Sequence, residues 1–382
     1  MNFWQELTYS ENMKTTTGMG ARRQNILSAV ALSIFVASIE SFCLRTTPVP
    51  RLKMQGKSFL KRDLRAFSTT ESSSSSTIKI TDGNTTTNEA AQNSNPADRV
   101  AVIVCPAQFC VPEDYIVLEE NLKSFLGDDK ISTVKVAPLP RTEWIKVAKQ
   151  LPTKNFLDAT LPVHKTLNWY FEAIEKAISE AIAEEGTDVN VCLVGHSIGG
   201  WVARAYLGGL AKKSTAVERW TNEKCTSLIT LGTPHISPDS ALVDQTRGLL
   251  REIDETQGCC TESLKERGID ITCVCSSGLS GNLLTTNVEE LVAATSYLPL
   301  LGRLGNDVVG DGIVPLDLAF MQGSRRITIE KCSKTGEAVR HSHVLPTPYN
   351  LWNGYAPSIK LPGNFVSYVS EGVIPQWAQY IR

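Results

Sequence analysis

One stretch, "VNVCLVGHSIGGWVARAY" from Val189 to Tyr206, decides how the rest of the sequence is interpreted. Its first six residues, Val189–Val194, are mostly apolar and predict a strand that is covered on both faces. Glycines then flank Ser197, and a segment typical of a helix follows. A serine projecting from a sharp strand-to-helix turn needs a strained backbone and leaves no room for side chains two residues away. The pattern therefore favours a nucleophile at Ser197 over an idle serine in a glycine-rich turn.

Similar apolar runs recur from residue 98 onward and alternate with helical patterns. Beyond Val189–Val194, the predicted strands are Val100–Cys105, Ile131–Leu139, Thr226–Leu231, Ile269–Cys275 and Arg326–Ile329. Apolar residues at helical spacing mark Tyr115–Leu126 and a long helix over 167–182. This alternation predicts an α/β fold with a doubly wound, mostly parallel sheet. Ligands of such sheets bind at the carboxyl ends of the strands, where the candidate residues lie.

Three motifs carry a resemblance to a known family. They are "GHSIGG" around Ser197, "LGTPH" at Leu231–His235 and "GDGIVP" at Gly310–Pro315. With them, residues 98–382 resemble an α/β-hydrolase of the lipase and GPI-inositol-deacylase-like group, and are similar to plant and algal plastid hydrolases. The resemblance implies an α/β-hydrolase fold with a helical lid insertion. Residues 236–268 and 276–310 would supply the lid or an acyl-binding wall, or else ordinary core helices.

The histidine of the site must follow both the serine and the acid in this fold. Downstream of Ser197 the sequence offers His235, His341 and His343. His235 precedes the acidic candidates, and the resemblance gives its motif a role in shaping the floor beside the site. The family pattern of a histidine followed by serine favours His341 as the base, with His343 as the alternative.

The acid should orient the imidazole and stabilise its charged form. Asp311 lies in a Gly-Asp-Gly turn that matches the family motif. Asp307 and Asp317 are the rivals, but each fits a solvated loop or helix-cap carboxylate better.

An oxyanion hole needs two backbone N–H donors. Ile198, directly after the nucleophile, supplies one in this fold. The resemblance places the other in "CPAQFC" after the first strand, where aligning Pro106-Ala107 with the family's His-Gly makes Gln108 the donor and Phe109 the alternative.

These residues predict a serine hydrolase of the lipase or esterase type that cleaves a carboxylic, acyl-lipid ester through an acyl-enzyme. An acyltransferase using the same triad and a non-catalytic binding protein of this fold are the alternatives. The expected partner is a hydrophobic ester or membrane lipid, with peripheral membrane contact. The net charge of -2 and the lack of a basic block in the folded part argue against nucleic acid. No metal or cofactor is expected, because the ten cysteines are irregularly spaced and form no Cys-x-x-Cys pair.

The first hundred residues are interpreted as a targeting region. Residues 1–41, with Met13 or Met19 as alternative starts, contain Arg22-Arg23 before a short apolar run and predict a signal peptide. Residues 42–97 predict a transit peptide and a polar linker, since Phe42–Thr70 holds seven Lys or Arg and one acid. We therefore expect delivery to the plastid through the secretory pathway, with secretion or retention in the endomembrane system as the alternative. Residues 98–382 form the predicted hydrolase domain.

Overall fold

The computed structural model describes residues 99–151, 153–211, 215–305, 307–345 and 354–382. The predicted signal peptide, transit peptide and linker of residues 1–97 lie outside these ranges. Within them, every helix is too short or too polar to cross a membrane.

The described chain contains a central parallel sheet and two small antiparallel pairs. The strands are β1 (Val100–Cys105), β2 (Ile131–Val136), β3 (Asn190–His196), β4 (Cys225–Leu231), β5 (Asp270–Ser276), β6 (Leu279–Ser280), β7 (Val309–Gly310), β8 (Arg325–Ile329), β9 (Val344–Leu345) and β10 (Ile359–Lys360). The central sheet has the order β2-β1-β3-β4-β5-β8, and all its neighbouring strands are parallel. The predicted parallel sheet is thereby confirmed.

Helices connect the strands and flank the sheet. They are α1 (Ile116–Leu126), α2 (Ile145–Ala148), α3 (Lys154–Leu157), α4 (Val163–Thr166), α5 (Asn168–Glu185), α6 (Ile198–Leu207), α7 (Thr215–Lys224), α8 (Leu249–Glu255), α9 (Thr261–Glu266), α10 (Val288–Leu301) and α11 (Ile374–Trp377). Short 3-10 turns occur at Pro112–Tyr115, Arg141–Trp144, Gln257–Cys259, Leu316–Leu318 and Ala378–Tyr380.

The alternation of side chains along the strands produces two apolar cores, one on each face of the sheet. In β1, Ala101 and Ile103 pack into the core that contains α5 and α6. Their neighbours Val102 and Val104 pack into the opposite core, which contains α1 and α11. Because both faces are covered at the centre of the sheet, β1 is apolar and buried throughout, as the continuous run in the sequence predicts, whereas the edge strands β2 and β8 include polar residues.

The strand order reverses beside β1, which pairs with β2 on one side and β3 on the other. A crevice opens at the carboxyl ends of two strands whose connections leave in opposite directions. The loop after β1 and the turn after β3 therefore meet at this edge of the sheet.

One predicted strand boundary needs correction. Strand β2 ends at Val136 and not at Leu139, because Pro138 and Pro140 cannot donate the hydrogen bonds that a strand needs. Within 236–268, helix α8 buries Leu249, Leu250 and Ile253 in the main core, as the alternative of an ordinary core helix predicts. Helix α10, within 276–310, instead packs beside β6 around a separate small apolar cluster.

The cysteines within the described ranges are all free thiols, and all except Cys260 are buried. Cys105 and Cys192 lie on the adjacent central strands β1 and β3. They pack as small apolar side chains, in agreement with the sequence interpretation.

Candidate active site

Ser197 occupies the sharp turn between β3 and α6. Its backbone has φ 55° and ψ -126°, a conformation that residues other than glycine rarely adopt. Two contacts with the next strand hold it there: its N–H donates to the Leu231 carbonyl at 2.9 Å, and the Thr233 hydroxyl donates to its carbonyl at 2.8 Å. The strain predicted for a projecting serine is therefore present and is stabilised by the last residue of β4 and by the segment that follows it.

The glycines around Ser197 are required by close backbone contacts. A Cβ at Gly195 would collide with the backbone of Gly200, and one at Gly199 with the carbonyl oxygen of Cys105. A Cβ at Gly200 would collide with the Thr233 side chain. The helix thus starts in contact with the end of β1 and with the segment after β4.

The turn that carries Asp311 is attached to β5 by a small antiparallel pair. Strand β6 follows β5 directly, and it pairs with β7, so that Leu279 lies opposite Gly310. Tyr297 of α10 fixes the turn further, since its hydroxyl accepts a hydrogen bond from the Gly312 N–H at 2.8 Å. The long insertion therefore returns Asp311 to the carboxyl edge of the sheet.

Asp311 and His341 form a close pair, in which the carboxylate is buried and the imidazole is partly exposed. The Asp311 Oδ2 atom lies 2.8 Å from His341 Nδ1 and accepts from the Tyr368 hydroxyl, also at 2.8 Å. Its Oδ1 atom accepts from the N–H groups of Ile313 and Val314, at 3.0 and 2.7 Å. Burial acts to raise the pKa of this carboxyl, but the charge and hydrogen bond of His341, with the Val314 and Tyr368 donors, hold the pKa below its ordinary value. Asp311 is therefore a carboxylate at neutral pH.

This pair lies next to the backbone that holds Ser197. Gly232 follows Leu231, the acceptor of the Ser197 N–H, and a Cβ there would collide with Asp311 Oδ2 and lie 3.0 Å from His341 Nδ1. On the other side of the serine, the rings of His196 and His341 have centroids 5.1 Å apart. The structure thus brings the predicted serine, acid and histidine to one place.

The rival residues have other partners. His343 is turned toward Asp114, and its Nε2 lies 2.7 Å from that residue's carbonyl oxygen. Asp307 and Asp317 are exposed and both pair with Arg303, at 2.7 and 2.8 Å. His341 and Asp311 are the histidine and acid that contact each other.

His235 is fully buried beneath the site. Its Nε2 lies 3.0 Å from the Thr230 hydroxyl, and its carbonyl accepts from Arg204 at 3.2 Å. This position agrees with the structural role that the "LGTPH" motif implies.

Two backbone N–H groups are available beside the serine. Ile198 is the first residue of α6, so its N–H has no acceptor within the helix. Within the described residues no acceptor meets the Gln108 N–H, whereas the neighbouring Ala107 N–H is bonded to Tyr115. Phe109, the alternative donor, has φ 61°, and its ring lies 5.5 Å from that of Trp144. The start of this loop contacts the start of α6, because the carbonyl oxygens of Cys105 and Pro106 lie close to Gly199.

Comparison with known proteins bears on the fold. Residues 160–291, which include Ser197, β4 and β5, match the family described as a PGAP1-like alpha/beta domain. The matched segment, the strand order and the strained turn at Ser197 all indicate the same fold. The chain has the α/β-hydrolase fold. Asp311 and His341 lie after the matched segment, and their order along the chain, acid before histidine, is the order that this fold uses.

The solved structures that are similar to this chain share little sequence identity with it. The metagenomic carboxyl esterase MGS0156 is 11% identical with a TM-score of 0.38, and the match covers 75% of this chain and 76% of that one. The RedJ thioesterase of the prodiginine pathway in Streptomyces coelicolor is 15% identical with a TM-score of 0.25, over 48% and 74%. The structure of RedJ with a PEG molecule bound in the active site is 16% identical with a TM-score of 0.25, and the match covers 48% of this chain and 72% of that one. At these TM-scores the likeness carries no conclusion about this chain. The search of curated proteins gave no match.

The buried histidines of this hydrolase fold predict a loss of stability in mild acid. Burial lowers the pKa of His196 to about 3 and that of His235 well below its ordinary 6.5. Between about pH 3 and 6.5 the unfolded chain therefore binds more protons than the folded protein, and the free energy of unfolding rises with pH. Each histidine contributes up to about 1.4 kcal/mol per pH unit.

Urea unfolding of the full chain at pH 7 and pH 5 measures this effect. We expect His235→Gln to reduce the difference between the two pH values, and His164→Gln, at an exposed histidine, to leave it unchanged. Equal pH dependence in wild type and His235→Gln would contradict the prediction.

Several residues of the site were not predicted from the sequence. Tyr368 and Tyr297 hold the acid and its turn, and Tyr115 contacts His196. Each acts across a long sequence separation and lies in no motif. His196 lies within "GHSIGG", but the motif gives its position no function.

Proposed function

We propose that this protein is a serine hydrolase that cleaves the ester of an apolar acyl group. The observation that supports it best is the hydrogen-bonded Asp311–His341 pair beside the strained turn of Ser197. Serine hydrolases need this combination because the serine hydroxyl becomes a nucleophile only when an oriented imidazole takes its proton.

In the proposed reaction, His341 Nε2 takes the Ser197 proton as Oγ attacks the ester carbonyl carbon. The Ile198 and Gln108 N–H groups stabilise the negative charge that forms on the carbonyl oxygen. His341 then returns the proton to the departing alcohol, which leaves an acyl group on Ser197. Water attacks this acyl-enzyme by the reverse sequence of proton transfers, and Asp311 stays ionised throughout.

Apolar side chains near the site favour an acyl chain as the substrate. Phe109 packs against Trp144, which in turn lies 5.0 Å from Trp169, so an aromatic cluster adjoins the loop after β1 that contains Gln108, called the Gln108 loop below. On the segment that leads from β6 to α10, Leu283 and Leu284 are exposed, the latter by 98%. Trp144 and Trp169 are themselves buried in the main core, so the apolar side chains open to a substrate are the partly buried Phe109 and these two leucines.

A series of p-nitrophenyl esters from acetate to palmitate, assayed with the full chain, tests the proposal. Each buried methylene contributes about 0.8 kcal/mol, so we expect kcat/KM to rise by up to about fourfold per methylene until the acyl site is full. Adding a long-chain alcohol as acceptor separates hydrolysis from acyl transfer, because transfer yields a new ester. A folded protein that neither turns over these esters nor reacts with a fluorophosphonate would overturn the proposal and favour the alternative of a non-catalytic binding protein.

A further inference from the structure

A continuous chain of hydrogen bonds passes beneath the site. The Ala107 N–H donates to the Tyr115 hydroxyl oxygen at 2.7 Å. That oxygen lies 2.9 Å from His196 Nδ1, and His196 Nε2 lies 2.8 Å from the His341 carbonyl oxygen. Tyr115 and His196 are both buried, at 1% and 3% exposure, so water does not compete for these groups.

The chemistry of the groups fixes every donor in this chain. The His341 carbonyl can only accept, so His196 Nε2 carries the proton and donates it. His196 Nδ1 is then the acceptor in the neutral ring, and the Tyr115 hydroxyl must donate to it. Burial lowers the pKa of His196 to about 3 and raises that of Tyr115, which keeps both groups neutral. One arrangement alone satisfies all the groups.

The chain touches the backbone at or beside three of the groups that the proposed reaction uses. Ala107 precedes Gln108, whose N–H would bind the oxyanion. His196 precedes Ser197, and the final acceptor is the carbonyl of His341. These three segments follow β1, β3 and β8 respectively, so their separation is not set by one strand. An acyl transfer depends on such separations to within tenths of an ångström.

We propose that Tyr115 and His196 are positioning residues, which hold the Gln108 loop, Ser197 and the His341 loop at the spacing that catalysis requires. This inference rests on the proposed function. Neither side chain is required to touch the substrate. Their effect is exerted on the groups that do.

Tyr115→Phe tests the proposal because it keeps the buried ring and removes one oxygen atom. The change leaves the Ala107 N–H and His196 Nδ1 without partners. We expect kcat for the p-nitrophenyl ester, and the rate constant for reaction with a fluorophosphonate, to fall by about 10- to 100-fold, since misplaced groups cost that much. KM should stay within about threefold, because the acyl site is unchanged.

Tyr206→Phe is the matched control. Tyr206 is another buried tyrosine, on α6 and packed against Phe171, and it takes no part in the chain. We expect its kcat to stay within about twofold of wild type, with melting temperatures recorded for all variants. If Tyr115→Phe and Tyr206→Phe both lose kcat in proportion to the fall in their melting temperatures, the positioning role is overturned.

His196→Gln provides the second, independent variant. Glutamine retains an N–H donor of similar reach for the His341 carbonyl but offers no matching acceptor to Tyr115. In the double variant Tyr115→Phe/His196→Gln, kcat should equal that of the slower single variant, because both changes break the same chain. Losses that multiply would show independent roles and overturn the proposal.

The failure of this inference is distinct from the failure of the proposed function. If the wild type is active and both single variants keep their kcat, the positioning role is wrong and the hydrolase assignment stands. If the folded wild type shows neither ester turnover nor labelling, both proposals are overturned.

Discussion

Ser197→Ala should abolish ester turnover and fluorophosphonate labelling while leaving the fold intact. Loss of the nucleophile in a serine triad lowers kcat by about 10⁶-fold, to the background of binding and oxyanion stabilisation. The hydrogen bonds that hold this residue use its backbone N–H and carbonyl, which alanine retains. The measurements are the ester assay and the intact mass after labelling.

Two further variants make this prediction sharper. Ser240→Ala, at an exposed serine, should keep both activity and labelling. Ser197→Gly should be as inactive as Ser197→Ala but more stable, by about 1–3 kcal/mol, because glycine adopts the positive φ of this turn without strain. Labelling of Ser197→Ala at the wild-type rate would show that another residue is the nucleophile.

Asp311→Asn and His341→Ala should be the next most damaging changes. All four groups around the Asp311 carboxylate, namely His341 Nδ1–H, the Tyr368 hydroxyl and two backbone N–H groups, are donors. The NH₂ of an asparagine would therefore face a donor whichever way it turned, and the imidazole would lose the tautomer that accepts a proton from serine. We expect kcat to fall by about 10⁴-fold for Asp311→Asn and by at least as much for His341→Ala.

The controls for this prediction are the rejected candidates. Asp317→Asn alters an exposed carboxylate paired with Arg303, and His343→Ala alters a histidine bonded to the Asp114 carbonyl. Both should retain most of the activity. If His343→Ala were inactive and His341→Ala active, the assignment of the base would be wrong.

The sequence was most informative where one segment determines its own structure. The apolar run before Ser197 and the glycines around it predicted the strand, the turn and the helix, since β3, the strained φ and α6 all depend on adjacent residues. Helix α1 begins at Ile116, one residue after the predicted start, because a 3-10 turn with Pro112 precedes it.

Contacts between distant segments were not predictable in the same way. Strands β6 and β7 have two residues each, which is too short for any periodicity, yet their pairing places Asp311. The motif that named Asp311 came from the resemblance, and its support by Tyr297 and Tyr368 appeared only in three dimensions. Helix α8 was ambiguous for a related reason, because an amphipathic pattern identifies an apolar face but not the surface that covers it.

The buried thiols of Cys105 and Cys192 provide a way to measure how often the central sheet opens. Both lie at 0% exposure on β1 and β3, the strands that lead to the Gln108 loop and to Ser197. Burial raises the pKa of both, that of Cys192 to about 12, so a thiol reagent at neutral pH can react only during a transient opening of the sheet. The rate at which Cys105 and Cys192 are modified then reports the frequency of opening at the centre of the sheet, and this measurement does not depend on substrate turnover. A ligand that tightens the site would lengthen the interval between openings even if it were never converted to product.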